Sequence, residues 1–328
     1  MPSSGRAGVW LVVFLALTGV LPVPSAAAQG AEVTAGTRVG IMYGTAKEFV
    51  LDFGFPISEL DWPCQPLFFQ ESTLDVRALG GLHGFFQVQV GIPSYSGTMT
   101  DSDWLNYPSG PNPTSKTHFS ESNAFTERSV TIDARLGWEF RVANGISFEP
   151  FAAFSFMSWQ WSGRDGYSQY PASGPPYPVW SPSLPQKPFY GTVGMYQQVY
   201  IIPGVGMRLG FRFGERWTVA ATAVFSPLVS CYSLDTHVLR DIDITSHLSG
   251  GMMIEPGVEL QVLISDKMSL GGGAVYRHIS GLVGDEVVLG GPNALSPDPA
   301  PGTQVTYPSS SGASFDMVSG WLSFSISL

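Results

Sequence analysis

Apolar residues take every second position in Leu322-Ser-Phe-Ser-Ile-Ser-Leu328, and serine fills the positions between them. Successive side chains of a strand point to opposite faces, so this segment has one greasy and one polar side and predicts a strand. The same alternation runs through residues 37–52, 84–92, 129–142, 146–162, 197–213, 216–237, 253–264 and 267–279. With a further strand near 60–79, the pattern predicts about ten strands and no helix.

The connections alternate in length. Gly80-Gly-Leu-His83, Ala143-Asn-Gly145, Gly214-Glu215 and Ser265-Asp266 read as tight turns, Asn-Gly most strongly because both residues tolerate positive φ. Residues 93–128, 163–194 and 280–313, rich in Pro, Ser, Gly and Tyr, read as long loops between those turns. Short turns at one end, long loops at the other and an even strand number are the signature of an outer-membrane barrel. Only helices and closed barrels pair every backbone polar group in lipid. The expected fold is therefore all-β, a ten-stranded antiparallel transmembrane β-barrel. Strands of about 20 residues are longer than the roughly 9–11 needed to cross, so the barrel is expected to extend beyond the outer membrane. A soluble β-sandwich would need two opposed sheets and a dry core, whereas the non-apolar faces here are Ser, Thr, Gln and Gly and suit a wet lumen.

Residues 1–28 fit a secretory signal: Arg6, an apolar run from Val9 to Leu21, then Ser25-Ala-Ala-Ala28, with cleavage expected after Ala28. Residues 29–328 then form a single barrel domain, since no fixed-period repeat and no linker divides them. No later stretch has the 18 or more consecutive apolar residues of a transmembrane helix. Composition agrees with a chain that meets a second solvent, at 44% hydrophobic, 13% aromatic and only 13% charged residues among 328. The net charge of −10 disfavours nucleic acid and favours basic partners.

The chemistry lies at strand ends. Thr98-Met-Thr-Asp-Ser-Asp-Trp-Leu-Asn106 closes the third strand, and positions i and i+2 put Asp101 and Asp103 on one face with Trp104 on the other. Alone, such a pair beside a loop is usually a turn former or a solvated rim charge. Cys231-Tyr-Ser-Leu-Asp-Thr-His237 closes the seventh strand, which runs in the same direction, and places Asp235 and His237 in the same relation. Four of ten strand positions separate the pairs, so they should face each other across the barrel mouth. A carboxylate beside an imidazole fixes its tautomer and raises its pKa, and two adjacent carboxylates resist joint ionisation. Asp101, Asp103, Asp235 and His237 are thus a candidate acid/base site for activating water.

Together with Ser58-Glu-Leu-Asp-Trp62, these motifs resemble the omptin family of ten-stranded outer-membrane endopeptidases. The resemblance covers nearly the whole mature chain in strand order and loop alternation. It implies that Asp235 and His237 form a dyad, that Asp101 and Asp103 form a couple, and that water held between Asp101 and His237 is the nucleophile, with no cofactor, no metal and no covalent intermediate. It also implies an exterior-facing site, polypeptide substrates of cationic character, and outer-membrane lipid as surroundings. Glu48, in Gly44-Thr-Ala-Lys-Glu48, resembles the family's acidic group for a basic side chain before the scissile bond. The family's second acidic partner, two residues before the dyad aspartate, is Ser233 here, which should loosen selection for Arg and Lys. The stretch Phe154-Ser-Phe-Met-Ser-Trp159 carries no charge where lipopolysaccharide-binding relatives do, so dependence on that lipid has no support. The chain also ends in Leu328 where an aromatic residue is usual.

Other features point away from competing chemistries. His83 falls in a turn, and His118, His247 and His278 fall near loops or the rim, where solvated roles are expected. Cys64 and Cys231 lie on strands two and seven and are read as two buried thiols rather than a disulfide. No Cys/His spacing fits zinc, and a single histidine among carboxylates falls short of the two or three usual in a catalytic zinc site. There is no Gly-x-Ser-x-Gly elbow, and Gly271-Gly-Gly273 lies within a strand, so no phosphate loop is expected. The alternative to a peptidase is a non-catalytic barrel, a pore or an adhesin, which needs none of the four acid/base residues in this arrangement.

Overall fold

The computed structural model describes residues 31–294 and 298–328; the expected signal segment lies outside them. Twelve strands account for most of this length. They are β1 (Glu32–Asp52), β2 (Phe55–Arg77), β3 (Leu82–Gly91), β4 (Ser94–Asp103), β5 (His118–Trp138) and β6 (Phe140–Ala143). There follow β7 (Ile146–Gln169), β8 (Lys187–Phe213), β9 (Trp217–His237), β10 (Ile242–Ser265), β11 (Met268–Gly290) and β12 (Gln304–Ser327).

All pairings are antiparallel and close into a ring. β3 and β4 both pair with β2 on one side and β5 on the other, so they are two halves of one position interrupted at Ile92 and Pro93. β6 continues β5 along β7. The twelve segments thus occupy ten positions, closed by β1 against β12, as the alternation predicts. Asn144 and Gly145 make the expected two-residue turn, with Gly145 at φ 77°. Phe53 and Gly54, both at positive φ, make a second one between β1 and β2.

The long connections are shorter than the alternation suggests. Strands continue through residues 94–103 and 118–128, through 163–169 and 187–194, and through 280–290 and 304–313. These extensions are rich in Ser, Thr, Gly and Tyr because both faces of the sheet there meet water or protein, so no period-2 apolar stripe marks them. The loops proper are 104–117, 170–186, 238–241 and, among the described residues, 291–294 and 298–303, all at one end with the β1–β2 turn. The tight turns lie at the opposite end.

An apolar band faces outward, including Val39, Phe68, Leu136, Val205, Val258 and Leu322, with Trp138, Phe140, Phe213 and Trp217 exposed toward the turn end. Aromatic residues flanking an apolar belt are what a bilayer selects. Toward the loop end the band gives way to outward charge. Lys47 Nζ lies 2.6 Å from Glu59 and 3.1 Å from Asp61, and Asp316 accepts hydrogen bonds from Tyr276 and pairs with His278 at 2.7 Å. From this row upward charged and polar residues interrupt the outward apolar band.

The lumen is crossed by an aromatic layer. Trp62, Trp159, Trp161, Tyr196, Tyr200 and Phe315 are buried inside it, with Trp62 and Tyr196 stacked at 5.6 Å and Trp159 and Trp161 at 5.5 Å. Closer to the turn end lies a charged lattice in which Arg277 bridges Asp133 and Glu255 while Arg38 bridges Glu71 and Glu259. His83 belongs to this layer. It is buried between Asp75 at 2.8 Å and Glu149 at 2.7 Å, not solvated in a turn, because β3 has already begun and His83, its second residue, faces the lumen. Removing one member of such a lattice strands a buried charge, so Arg277→Ala is expected to cost about 3–5 kcal/mol. Loss of β-sheet circular dichroism at a lower temperature than in the unchanged refolded barrel is the measurement.

Candidate active site

Strand register builds the site. Asp101 on β4 sits beside Leu60 of β2 and Ser120 of β5, and Asp103 sits beside Ser58 and His118. Ser58 Oγ donates toward Asp101 Oδ1 at 3.4 Å and Ser120 Oγ toward Asp101 Oδ2 at 3.3 Å, which fixes the couple as inward-facing. Across the mouth, β9 carries Asp235 and His237, bracketed by Tyr196 of β8 and Ile244 of β10. His237 Nε2 lies 2.6 Å from Asp235 Oδ2. Asp235 is buried, whereas His237 keeps 28% of its side-chain surface open, which is room for a water or a substrate.

Electrostatics tie the two sides together. Burial works to lower the His237 pKa, but the charge and hydrogen bond of Asp235, helped by Asp101, raise it above the usual histidine value. Burial pushes Asp101 up, partly offset by His237 and the serine hydroxyls. Asp103 is pushed up to about 8, first by burial and then by the charge of Asp101. That is the behaviour of two close carboxylates sharing a site. Below about pH 8 the couple holds a proton.

The four residues singled out by spacing are therefore brought into one cleft at the loop end. Glu48 on β1 joins them: it is buried, Oε2 has no partner among the described residues, and burial together with Asp235, Glu286 and Asp101 raises its pKa strongly. Ser233 is buried on the same face of β9, two residues before Asp235.

Three contributors were not visible in the chain. Glu286 on β11 is buried and pushed up to about 7, by burial and then by Asp235. Its stretch lacks apolar alternation and reads as loop. Arg240, just beyond β9, is held by Asp298 and contributes positive charge to the surroundings of His237, Asp103 and Glu286. His118 is buried against Tyr170 and Tyr177, with ring centroids at 5.0 and 4.7 Å, instead of solvated at the rim. The two thiols are free and buried, as their strand positions predict.

The omptin family profile matches residues 29–291. The chain belongs to the omptin family. As a member it is an outer-membrane protease, and the barrel agrees. The crystal structure of outer membrane protease OmpT from Escherichia coli superposes with a TM-score of 0.80 at 14% identity, covering 90% of this chain and 97% of that one. The translocator domain of the autotransporter NalP from Neisseria meningitidis reaches a TM-score of only 0.36 at 11% identity, over 90% of each chain. No curated protein sequence matches the chain significantly. This omptin keeps the barrel of OmpT with little sequence in common, so roles within the cleft rest on its own residues.

Proposed function

We propose that this omptin is an endopeptidase in which Asp235 and His237 activate a water held toward Asp101, with a preference for a basic residue before the scissile bond and with the loop end facing the cell exterior. The observation that carries the reading is the 2.6 Å Asp235–His237 pair set across a cleft from two carboxylates. Asp235 engages Nε2, which leaves Nδ1 as the ring nitrogen free to accept a proton. The water gives a proton to His237 and its oxygen bonds to the carbonyl carbon, forming a tetrahedral intermediate. Asp103, with its pKa near 8, supplies a protonated carboxyl beside Asp101 to donate a hydrogen bond. Collapse breaks the C–N bond, and the proton on His237 passes to the leaving amine. No bond to the enzyme forms, so reagents that label serine or cysteine nucleophiles should leave activity unchanged.

The preference for cationic substrates is supported by Glu48, whose unpartnered carboxylate oxygen points to a missing donor, and by the net charge of −10. Steering by that charge fades as salt rises. The loop end is assigned to the exterior because the strands stand clear of the apolar band only there.

A pH profile tests the dyad. His237 must be neutral to accept a proton, and its raised pKa moves the acid limb of kcat/KM above the ordinary histidine value of about 6.5. Removing the charge of Asp235 removes the main cause of that elevation, so Asp235→Asn should move the limb to lower pH while lowering the plateau. An acid limb that stays in place in the variant would exclude His237 as the base.

A further inference from the structure

Where the family resemblance implies an acid two residues before the dyad aspartate, this chain has Ser233, yet the cleft is not short of carboxylates. In the sheet, Ser246 of β10 pairs with Ser233 of β9 on one side and with Glu286 of β11 on the other. Paired residues of neighbouring strands project to the same face and the strands are about 4.8 Å apart, so Glu286 occupies the same inward row as Ser233, two strands along. Ser233, Ser246 and Glu286 are all buried, as the row requires.

We propose that Glu286 is the second acidic wall of the pocket for the basic side chain, facing Glu48 and replacing the acid missing at position 233. The inference rests on the basic-side-chain reading given above and names the residue that completes it. Glu48 and Glu286 each feel the charge of Asp235, and Glu48 feels that of Glu286, so the three border one space. Glu48 Oε2 is buried without a partner, and Glu286 is 6% exposed with no hydrogen bond or ion pair among the described residues. Arg240, whose charge Glu286 also feels, is taken up by Asp298. Buried carboxylates are normally paired, and a pair left open within the chain is satisfied by a donor from outside. A guanidinium or ammonium entering between Glu48 and Glu286 brings several donors and a positive charge, the charge-assisted contact that a carboxylate binds most strongly. Selection for a cation is thereby retained although Ser233 supplies no charge.

The test compares two quenched peptides that differ only in having arginine or citrulline, an uncharged isostere, before the scissile bond. The ratio of their kcat/KM values cancels any general change in the dyad. Glu286→Gln is expected to lower the arginine-to-citrulline ratio by about tenfold or more, the effect of losing one charge-assisted contact, and Glu48→Gln to lower it similarly. Adding Ser233→Asp to the Glu286→Gln chain should restore much of the ratio, since the carboxylate returns to the same row. If Glu48→Gln lowers the ratio and Glu286→Gln does not, Glu286 is not a pocket wall and the proposal falls while the basic-side-chain reading stands. If neither changes it, that reading itself fails. A lowered ratio that Ser233→Asp does not restore would overturn the shared-row placement.

Discussion

His237→Ala is expected to reduce peptide hydrolysis by about 10²–10⁴-fold, the usual contribution of a positioned general base. The loss should appear in kcat rather than KM, because the imidazole acts on the water and only weakly on the bound peptide. The barrel should survive the change. His237 is partly open to the cleft and its one ion-pair partner, Asp235, keeps the buried shell of β9 around it. An unchanged β-sheet spectrum alongside the lost activity separates catalysis from folding. Activity within tenfold of the parent would remove His237 from the mechanism.

Asp101→Ala should be almost as damaging, at about 10²-fold or more, for a different reason. Its two oxygens already accept from Ser58 and Ser120 at 3.4 and 3.3 Å, long contacts that leave capacity to orient a water facing His237. Losing it also removes the charge that, after burial, does most to keep Asp103 protonated near pH 8. The Asp103 pKa should fall, and with it the alkaline limb of the pH profile. Because the couple and the dyad act on one water, the losses should not add: the His237→Ala, Asp101→Ala double variant should be little slower than either single one. Fully additive losses would indicate two independent roles.

The ten-position barrel was legible because a bilayer imposes a period. Wherever one face meets lipid and the other the lumen, as in Leu322 to Leu328, the alternation is visible in the residues themselves. The same cause explains where legibility ended. Past the row of Lys47, Glu59, Asp61 and Asp316 no lipid enforces the pattern, so strand residues 280–290 read as loop and Glu286 was hidden in them. Asp101, Asp103, Asp235 and His237 were visible because each pair repeats at i and i+2, a relation that survives any uncertainty in strand length. Glu48 was identified only through resemblance, since a single acid on a strand carries no spacing to read.

Lumen contents were the least predictable part. Inward positions of β7 and β8 carry Trp159, Trp161, Tyr196 and Tyr200, which on the chain look the same as lipid-facing aromatics. Stacked beneath the cleft, they give the site an aromatic floor, and nearer the turn end the Arg277 and Arg38 ion pairs line a cavity in the lumen. That aromatic layer across the lumen speaks against an open pore. His83 differs for a related cause: the β2–β3 hairpin brings Asp75 to one side of it and the folded sheet brings Glu149 of β7 to the other.

Digestion of a random peptide library by the refolded wild-type barrel, with new termini read by mass spectrometry, tests the central claim most directly. Internal cleavages are expected, enriched after Arg and Lys, with that enrichment declining as salt is raised. A library left intact by a correctly folded barrel would contradict the peptidase assignment of this cleft and leave the chain a non-catalytic surface barrel.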